Sequence, residues 1–394
     1  ASQLGEDASL AFNESVSLRL RGPLEVAVLE QALAAVVNAH DALHAGFAPD
    51  GETFCVLPAG AFGLRHEDLS SLPEPARAAA LQARQQASVD TPFDLAQGHL
   101  FRAELLRWSD QEHVLLMSAH HIVCDGWSWW VLVRELGAHY AQALGHVAEL
   151  PSPIAFADYA LAEASRSADD PTRQADARYW SGRFAGVLPV LELPTDRPRP
   201  ARRSFVARRS DHVLDAALVS ALRRQGARQG ASLFATLLGG FAGVLSRLTG
   251  QDDLVIGIPA AGQSVDGLDQ LVGHCVNLLP LRFALTPTQT FTEVLGQAQA
   301  TLLDAIEHQR YTFGTLLKTL QVERDPSRLP LVSVMFNIDQ ALDQEKTGFP
   351  GLVLGFESNA RSHESFELSI NAVQVEGTLT VTPPTYRFDI TIEE

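Results

Sequence analysis

The chain has 394 residues, 46% of them hydrophobic, with 47 Asp and Glu against 30 Lys and Arg, for a formal net charge of −17. That length suffices for one large two-lobed unit or two domains with buried cores, and the acidity argues against nucleic acid as a partner, because phosphate binding needs a positive surface. No stretch approaches the roughly 18 uninterrupted apolar residues of a membrane-crossing helix, Ala1-Ser2-Gln3-Leu4-Gly5-Glu6-Asp7 carries no signal-peptide pattern, and Cys55, Cys124 and Cys275 lack CxxC spacing, so a cytoplasmic chain without membrane contact or disulfides is expected.

Val16, Leu18 and Leu20 alternate with polar residues, which predicts a half-buried strand from Glu14 to Arg21. Gly22-Pro23 interrupts it. Val26, Leu29, Leu33, Val36 and Val37 then recur at helical spacing, with Pro23 suited to a helix start. Leu100–Leu106 and His113–Ile122 read as strands joined by a polar turn over Trp108–Glu112. After Asp125-Gly126, Ser128 can cap a helix running to about Leu144, with Trp129, Val133, Leu136 and Tyr140 on one face. A break is expected around Tyr179-Trp180. Leu188–Arg203 holds Pro189, Pro194, Pro198 and Pro200 among arginines and reads as a semi-rigid connector. Beyond it, Asp215–Gln229 and Ser232–Leu248 read as helices and Asp253–Ile258 as a buried strand ending at Pro259. The mixture on both sides of the connector predicts two αβ lobes: residues 1–180, a connector at 181–205, and residues 206–394.

The segment richest in chemistry is His120-His121-Ile122-Val123-Cys124-Asp125-Gly126-Trp127-Ser128. Adjacent strand residues face opposite sides, so one histidine can meet a cavity while the other packs inward. Asp125 can accept hydrogen bonds from the loop or pair with an arginine. Gly126 permits a sharp turn. Besides catalysis, the pattern fits a strand end with satisfied core histidines. Metal binding by His120, His121, Cys124 and Asp125 is disfavoured, because the histidines face apart and no second ligand cluster appears. Nucleophilic catalysis by Cys124 has only one thiol beside one carboxylate to support it.

His120 to Gly126 matches the HHxxxDG signature, and other segments follow in a matching order. Ile154-Ala155-Phe156-Ala157-Asp158-Tyr159-Ala160 resembles YxDFA. The run from Val272-Gly273-His274-Cys275-Val276-Asn277 to Arg282 resembles VGxFVNTxPxR. His308-Gln309-Arg310-Tyr311-Thr312-Phe313 resembles HQDYPF, and Arg324-Asp325-Pro326-Ser327-Arg328-Leu329-Pro330-Leu331 resembles RDxSRNPL. On these segments the chain resembles the condensation domains of nonribosomal peptide synthetases, relatives of chloramphenicol acetyltransferase. Some features depart from the pattern. The first family motif is not found, so the chain is read as beginning just after it. Ala39-His40-Asp41-Ala42-Leu43-His44-Ala45-Gly46-Phe47 is a weakened RHExLRTxF without its two arginines. Pro383-Pro384-Thr385-Tyr386-Arg387-Phe388-Asp389 replaces a YNTDLFD-like stretch, and the helix that normally follows is missing.

The resemblance implies an α/β (α+β) fold of two chloramphenicol-acetyltransferase-like αβ lobes in a V, with the active site between them. It implies amide formation between a carrier-bound acyl or aminoacyl thioester and a carrier-bound aminoacyl amine. Donor and acceptor carrier proteins and other synthetase modules are the partners. No metal or cofactor belongs to the domain itself; the phosphopantetheine arms come with the carriers. Under this reading His121 receives or positions the amine proton, a task that suits an imidazole of pKa near 6.5. Gly126 N–H, at a helix start, can stabilise the oxyanion or simply form a tight turn. Asp125 holds the loop with Arg282 as partner, and His120 faces inward in support. Ser128 and Asn277 are candidate substrate contacts. Ala119 stands where domains taking D-configured donors tend to carry a third histidine, which leaves L-type, hybrid and starter subtypes open. Two other classes stay open: an acyltransferase using coenzyme A or forming esters, and a non-catalytic recruitment module. The group Arg199, Arg202, Arg203, Arg208 and Arg209 is either a carrier-docking patch or a solvated connector.

Overall fold

The computed structural model describes residues 5–60, 62–167, 169–264, 267–323, 325–339, 347–375 and 385–393. Of the residues singled out above, Ala1 to Leu4, Arg324, Pro383 and Pro384 lie outside these. In chain order the elements are α1 (Glu6–Leu10), β1 (Asn13–Arg21), α2 (Val26–Ala39), β2 (Ala45–Phe47), β3 (Phe54–Val56), β4 (Arg65–Asp68), α3 (Glu74–Asp90), β5 (Phe101–Ser109), β6 (Glu112–His120), α4 (Gly126–Ala143), α5 (Phe156–Ser165) and α6 (Pro171–Arg183). There follow β7 (Ala207–Leu214), α7 (Ala216–Arg228), α8 (Leu233–Thr249), β8 (Asp253–Ala261), β9 (Val276–Ala284), α9 (Phe291–Glu307), α10 (Phe313–Leu320), β10 (Val334–Asp339), β11 (Val353–Ser358), β12 (Leu368–Val375) and β13 (Thr385–Glu393).

The chain divides into two compact units, and the division is not a halving at the connector. The first unit takes residues 1–166, 263–275 and 342–364; the second takes 167–262, 276–341 and 365–394. The proline-rich connector belongs to the second unit, where Leu191 is buried in the core. Arg203 N donates to Pro326 O at 3.2 Å, and Arg199 pairs with Glu367 at 2.6 Å. These two arginines are therefore engaged within their own unit rather than offered as a free basic patch. The expected break at Tyr179-Trp180 is instead the interior of α6, because Trp180 is fully buried there and its indole N–H donates to His308 O.

In the first unit the sheet order is β11-β1-β6-β5-β4. Leu18 and Leu20 of β1 and Leu115 and Met117 of β6 share a core with Leu29 and Leu33 of α2 and Val133 and Leu136 of α4. Burying each such side chain contributes about 1.5–3 kcal/mol, which holds both helices on one sheet face. On the other face α3 meets a polar seam. Asn13 donates to Val89 O and Thr91 O, and Ser15 Oγ lies 2.7 Å from Ser88 Oγ. Gly137 in α4 lets the chain at Thr347 approach; a Cβ there would sit 1.6 Å from Thr347 O. Asp41 of the weakened motif accepts from Phe156 N and Ala157 N at 2.7 and 2.9 Å, so it caps α5.

In the second unit the order is β7-β13-β12-β10-β8-β9. Phe283, Phe336, Leu238, Ile256 and Leu302 form its centre. Strand β8 does not end at Pro259 but runs through it, paired with Leu278 of β9. Its other neighbour, β10, pairs only with Ile256 and Gly257, so no partner strand needs the N–H that proline lacks. Among the described residues no single helix is long and apolar enough to cross a membrane.

Candidate active site

The register of β6 against β1 places the two histidines. Asn13 is opposite His120, Glu14 is opposite Ala119, and His121 N donates to Phe12 O at 2.7 Å. Alternation then puts His120 on the α3 face and sends His121 to the face shared with Glu14. His120 is buried; its Nδ1 accepts from Ile122 N at 3.2 Å and its Nε2 lies 3.4 Å from Ser9 Oγ. Burial, with the neighbouring His121 and His274 adding to it, lowers its pKa to about 4. A neutral ring with Nδ1 accepting and Nε2–H donating satisfies both contacts, and the ring is turned inward.

His121 keeps solvent access over 22% of its side chain. Its Nε2 is 3.3 Å from Glu14 Oε1, and its Nδ1 is 3.3 Å from His274 Nδ1. The two rings meet edge to face, centroids 5.0 Å apart at 85°. The other oxygen of Glu14 accepts from Trp129 Nε1 at 3.0 Å. His274 is exposed to solvent, yet the protein packed around it lowers its pKa, and the adjacent His121 lowers it further. None of these partners was visible from sequence. Glu14 looked like the first polar position of an alternating strand. His274 filled the variable position of a family segment.

The loop is pinned by Asp125, which is 2% exposed. Its Oδ1 accepts from Ser128 N at 2.9 Å and Ser128 Oγ at 2.8 Å, and its Oδ2 accepts from Cys275 N at 3.0 Å. Gln263 Nε2 reaches both oxygens, at 3.1 and 3.0 Å. These contacts replace the expected arginine. Arg282 is on β9, where Asp253 of the adjacent β8 takes it in a two-pronged pair at 2.9 and 2.6 Å. Planar guanidinium matches carboxylate in that geometry. The same Asp125 caps α4, three residues before the cap expected at Ser128.

Ser128 is fully buried; its hydroxyl accepts from Gly273 N at 3.0 Å and lies within donating reach of Asp125 Oδ1 and Gly273 O. It knits α4 to the 263–275 segment and has no open face for substrate. Asn277 is likewise consumed by backbone: Nδ2 donates to Gln309 O and Tyr311 O at 2.9 and 3.0 Å, and Oδ1 accepts from Phe313 N at 3.0 Å. It fixes the start of β9 to the turn before α10. Gly126 is exposed at the first turn of α4, with a free N–H among the described residues and open space where a Cβ would project. Its backbone does not need glycine for its dihedral angle.

Cys124 and Cys275 are buried, and burial pushes both thiols up in pKa, so neither offers a thiolate at neutral pH. Among the described residues no three His, Cys, Asp or Glu side chains gather as a metal site. What the site offers is an accessible imidazole between a carboxylate and a second imidazole, beside a helix start with unpaired N–H.

The condensation-domain family model matches residues 2–386. A linear gramicidin synthase component from Brevibacillus parabrevis is 35% identical over 373 residues, which is 93% of this chain and 7% of that protein. The chain thus spans a small fraction of the curated relatives it matches. Among solved structures, the X-domain from teicoplanin biosynthesis aligns with TM-score 0.83 and 26% identity over 99% of this chain and 88% of that one. A complex of that X-domain with OxyB aligns with TM-score 0.78 and 26% identity over 100% of this chain and 87% of the other. The condensation domain from the Monacolin K polyketide synthase shares the fold with TM-score 0.82, at 21% identity over 98% of this chain and 88% of that chain. The chain belongs to the condensation-domain family, the amide-forming acyltransferases of nonribosomal peptide synthetases.

Proposed function

We propose that this domain joins a carrier-bound acyl or aminoacyl donor to a carrier-bound aminoacyl acceptor, and that His121 handles the proton. The observation that carries this reading is an imidazole that keeps solvent access while a carboxylate stands at 3.3 Å from one ring nitrogen. The acceptor amine attacks the donor thioester carbonyl carbon. A C–N bond forms, the C–S bond breaks, and one N–H proton leaves nitrogen. His121 takes that proton and returns it to the departing sulfur, while the carboxylate of Glu14 offsets the imidazolium charge. In this reading Gly126 N–H, at the positive end of α4, donates to the developing oxyanion. Asp125 acts by holding the loop. The substrates arrive on phosphopantetheine arms of carrier proteins, the domain supplies no cofactor, and the working compartment is the cytoplasm, shared with other synthetase modules.

The test is a mass-spectrometric condensation assay with donor- and acceptor-loaded carriers and a His121→Ala control. Product that falls about 10²–10⁴-fold in the variant supports the reading; near-normal turnover by a folded His121→Ala protein overturns it. A second reading, recruitment of a partner enzyme, is favoured by the similarity to an X-domain seen in complex with OxyB. Carrier binding without product across several donor classes would support that one.

A further inference from the structure

Asp125 carries the loop that presents His121 and Gly126, and among the described residues only neutral donors hold it. They are the backbone N–H groups of Ser128 and Cys275, the Ser128 hydroxyl and the side-chain amide of Gln263. Gln263 is the first residue of the 263–275 segment, and its one amide nitrogen straddles both carboxylate oxygens at 3.1 and 3.0 Å. The residue is fully buried, and its backbone carbonyl accepts from Leu268 N at 2.9 Å, so the side chain leaves from a fixed backbone. Its amide oxygen is buried without a partner among the described residues. Leaving a buried acceptor unpaired is costly. The contact with Asp125 explains why it is tolerated: a reversed amide would set its oxygen against the carboxylate.

We propose that Gln263 is a positioning residue of the condensation step, whose amide sets the Asp125 carboxylate and, through it, the Gly126 N–H and the histidine pair. The route is short. Gly126 follows Asp125 directly and opens α4. Cys275 N donates to Asp125 Oδ2 at 3.0 Å, and His274 beside it lies 3.3 Å from His121, Nδ1 to Nδ1. Asp125 is thus the shared anchor of the N–H and of the two imidazoles. A donor that straddles both oxygens stops the carboxylate from turning about its Cβ–Cγ bond. A displacement of about 1 Å at a reacting site costs on the order of 10²-fold in rate, so the anchor reaches the chemistry without touching substrate. This rests on the reading of His121 as the proton-handling group and of Gly126 N–H as the oxyanion donor. It adds the side chain that sets their spacing. It also makes hydrogen-bond donation, rather than positive charge, what Asp125 requires at that position.

The experiment compares wild type, Gln263→Met, Gln263→Glu and His121→Ala by single-turnover condensation, urea unfolding and amide hydrogen exchange. Methionine matches glutamine in length and cannot donate. Gln263→Met should lower the maximal rate about tenfold per folded molecule, with KM within about twofold of wild type. Exchange at Ser128 N and Cys275 N, whose acceptor is then loosened, should quicken about tenfold. Glutamate keeps the shape of glutamine and sets a second carboxyl against Asp125, and two carboxyls that close share one proton. That O–H holds Asp125 as the amide does, and the hold is lost as rising pH removes the proton. The rate of Gln263→Glu relative to wild type should therefore fall about tenfold between about pH 6 and 9. Cys124, His274 and Cys275, the other titratable groups that feel Asp125, are present in both proteins, so the ratio isolates the new carboxyl. A Gln263→Met protein that unfolds more easily but turns over at the wild-type rate makes Gln263 a structural prop and overturns the proposal, as does unquickened exchange. Where Gln263→Met does not fold, Gln263→Glu decides, and a rate ratio that does not change with pH overturns the proposal. Full activity of His121→Ala overturns the underlying reading instead, and amide exchange judges the anchor even where no substrate pair turns over.

Discussion

Two histidine–glutamate pairs of the first unit, His40–Glu135 and His121–Glu14, are chemically alike and physically opposite. His40 at the end of α2 and Glu135 of α4 meet at 2.7 Å with side chains only 1% and 4% exposed. His121 and Glu14 meet at 3.3 Å with 22% and 20% exposed. The first pair joins two helices across a sealed core, and His40 Nδ1 and Glu135 Oε1 have no partner among the described residues. The second stands at a strand end, with its carboxylate anchored by Trp129 and its imidazole open to a newcomer. Identical side-chain chemistry is structural where nothing can reach it and available for reaction where a substrate can. Exposure, more than the pair itself, separates the roles.

The sharpest way to break this contrast is truncation within each pair. His121→Ala should cost about 10²–10⁴ in turnover, or roughly 3–5 kcal/mol of barrier, while denaturation midpoints stay near wild type. Glu135→Ala should do the reverse. It leaves a buried histidine unpaired, for a loss of about 3–5 kcal/mol of stability, with little change in turnover per folded molecule. The double variant His40→Leu with Glu135→Leu should recover most of that loss, because removing both polar groups removes the need for pairing. Urea unfolding of the three proteins checks this. A double variant as unstable as the single would show that the pair contributes more than mutual satisfaction.

The neighbour of His121 gives the next largest effect, as a pH dependence. His120 titrates at about 4 in the folded chain and near 6.5 when unfolded. Between those values the unfolded chain binds more protons, so stability declines as pH falls from about 6.5 towards 4, by up to about 3 kcal/mol from this residue. Buried His44 and His113 are lowered as well and act in the same direction. His120→Asn keeps an acceptor for Ile122 N and cannot take up the proton. Its unfolding free energy should therefore vary less between about pH 6.5 and 4.5 than that of wild type. Equal slopes would mean that His120 is protonated without penalty.

Much of this site was legible from the chain, and the limits are physical. The period-two rule sent His120 and His121 to opposite faces before any pairing was known, and the Asp-Gly turn announced the start of α4. Partners across the sheet were not legible. Glu14 reaches His121 only because β1 and β6 pair in one particular register, and a shift by one residue would have turned Glu14 to the α3 face. Asp125 was expected to accept hydrogen bonds from the loop or to pair with an arginine, Arg282, and the structure gives it the loop and other N–H donors in place of the arginine. Backbone and amide N–H groups from Ser128, Gln263 and Cys275 hold the carboxylate, and pattern alone does not reveal backbone donors far away in sequence. The connector failed for a related reason: its prolines signal stiffness, but the burial of Leu191 decides what it packs on.

The smallest effect tests the reassigned serine. Ser128 Oγ is a buried hydroxyl shared between Asp125 and Gly273, so Ser128→Ala leaves Gly273 N without its acceptor and Asp125 with one donor fewer. That costs about 1–3 kcal/mol of stability. Asp125 still accepts from Ser128 N, Gln263 and Cys275, so the loop should keep its path and KM for either carrier-bound substrate should stay within about twofold of wild type. A raised KM with undiminished stability would return Ser128 to the substrate side. A loss of stability with KM unmoved would set it beside His40 and Glu135, as a polar group sealed into the frame that holds the accessible imidazole.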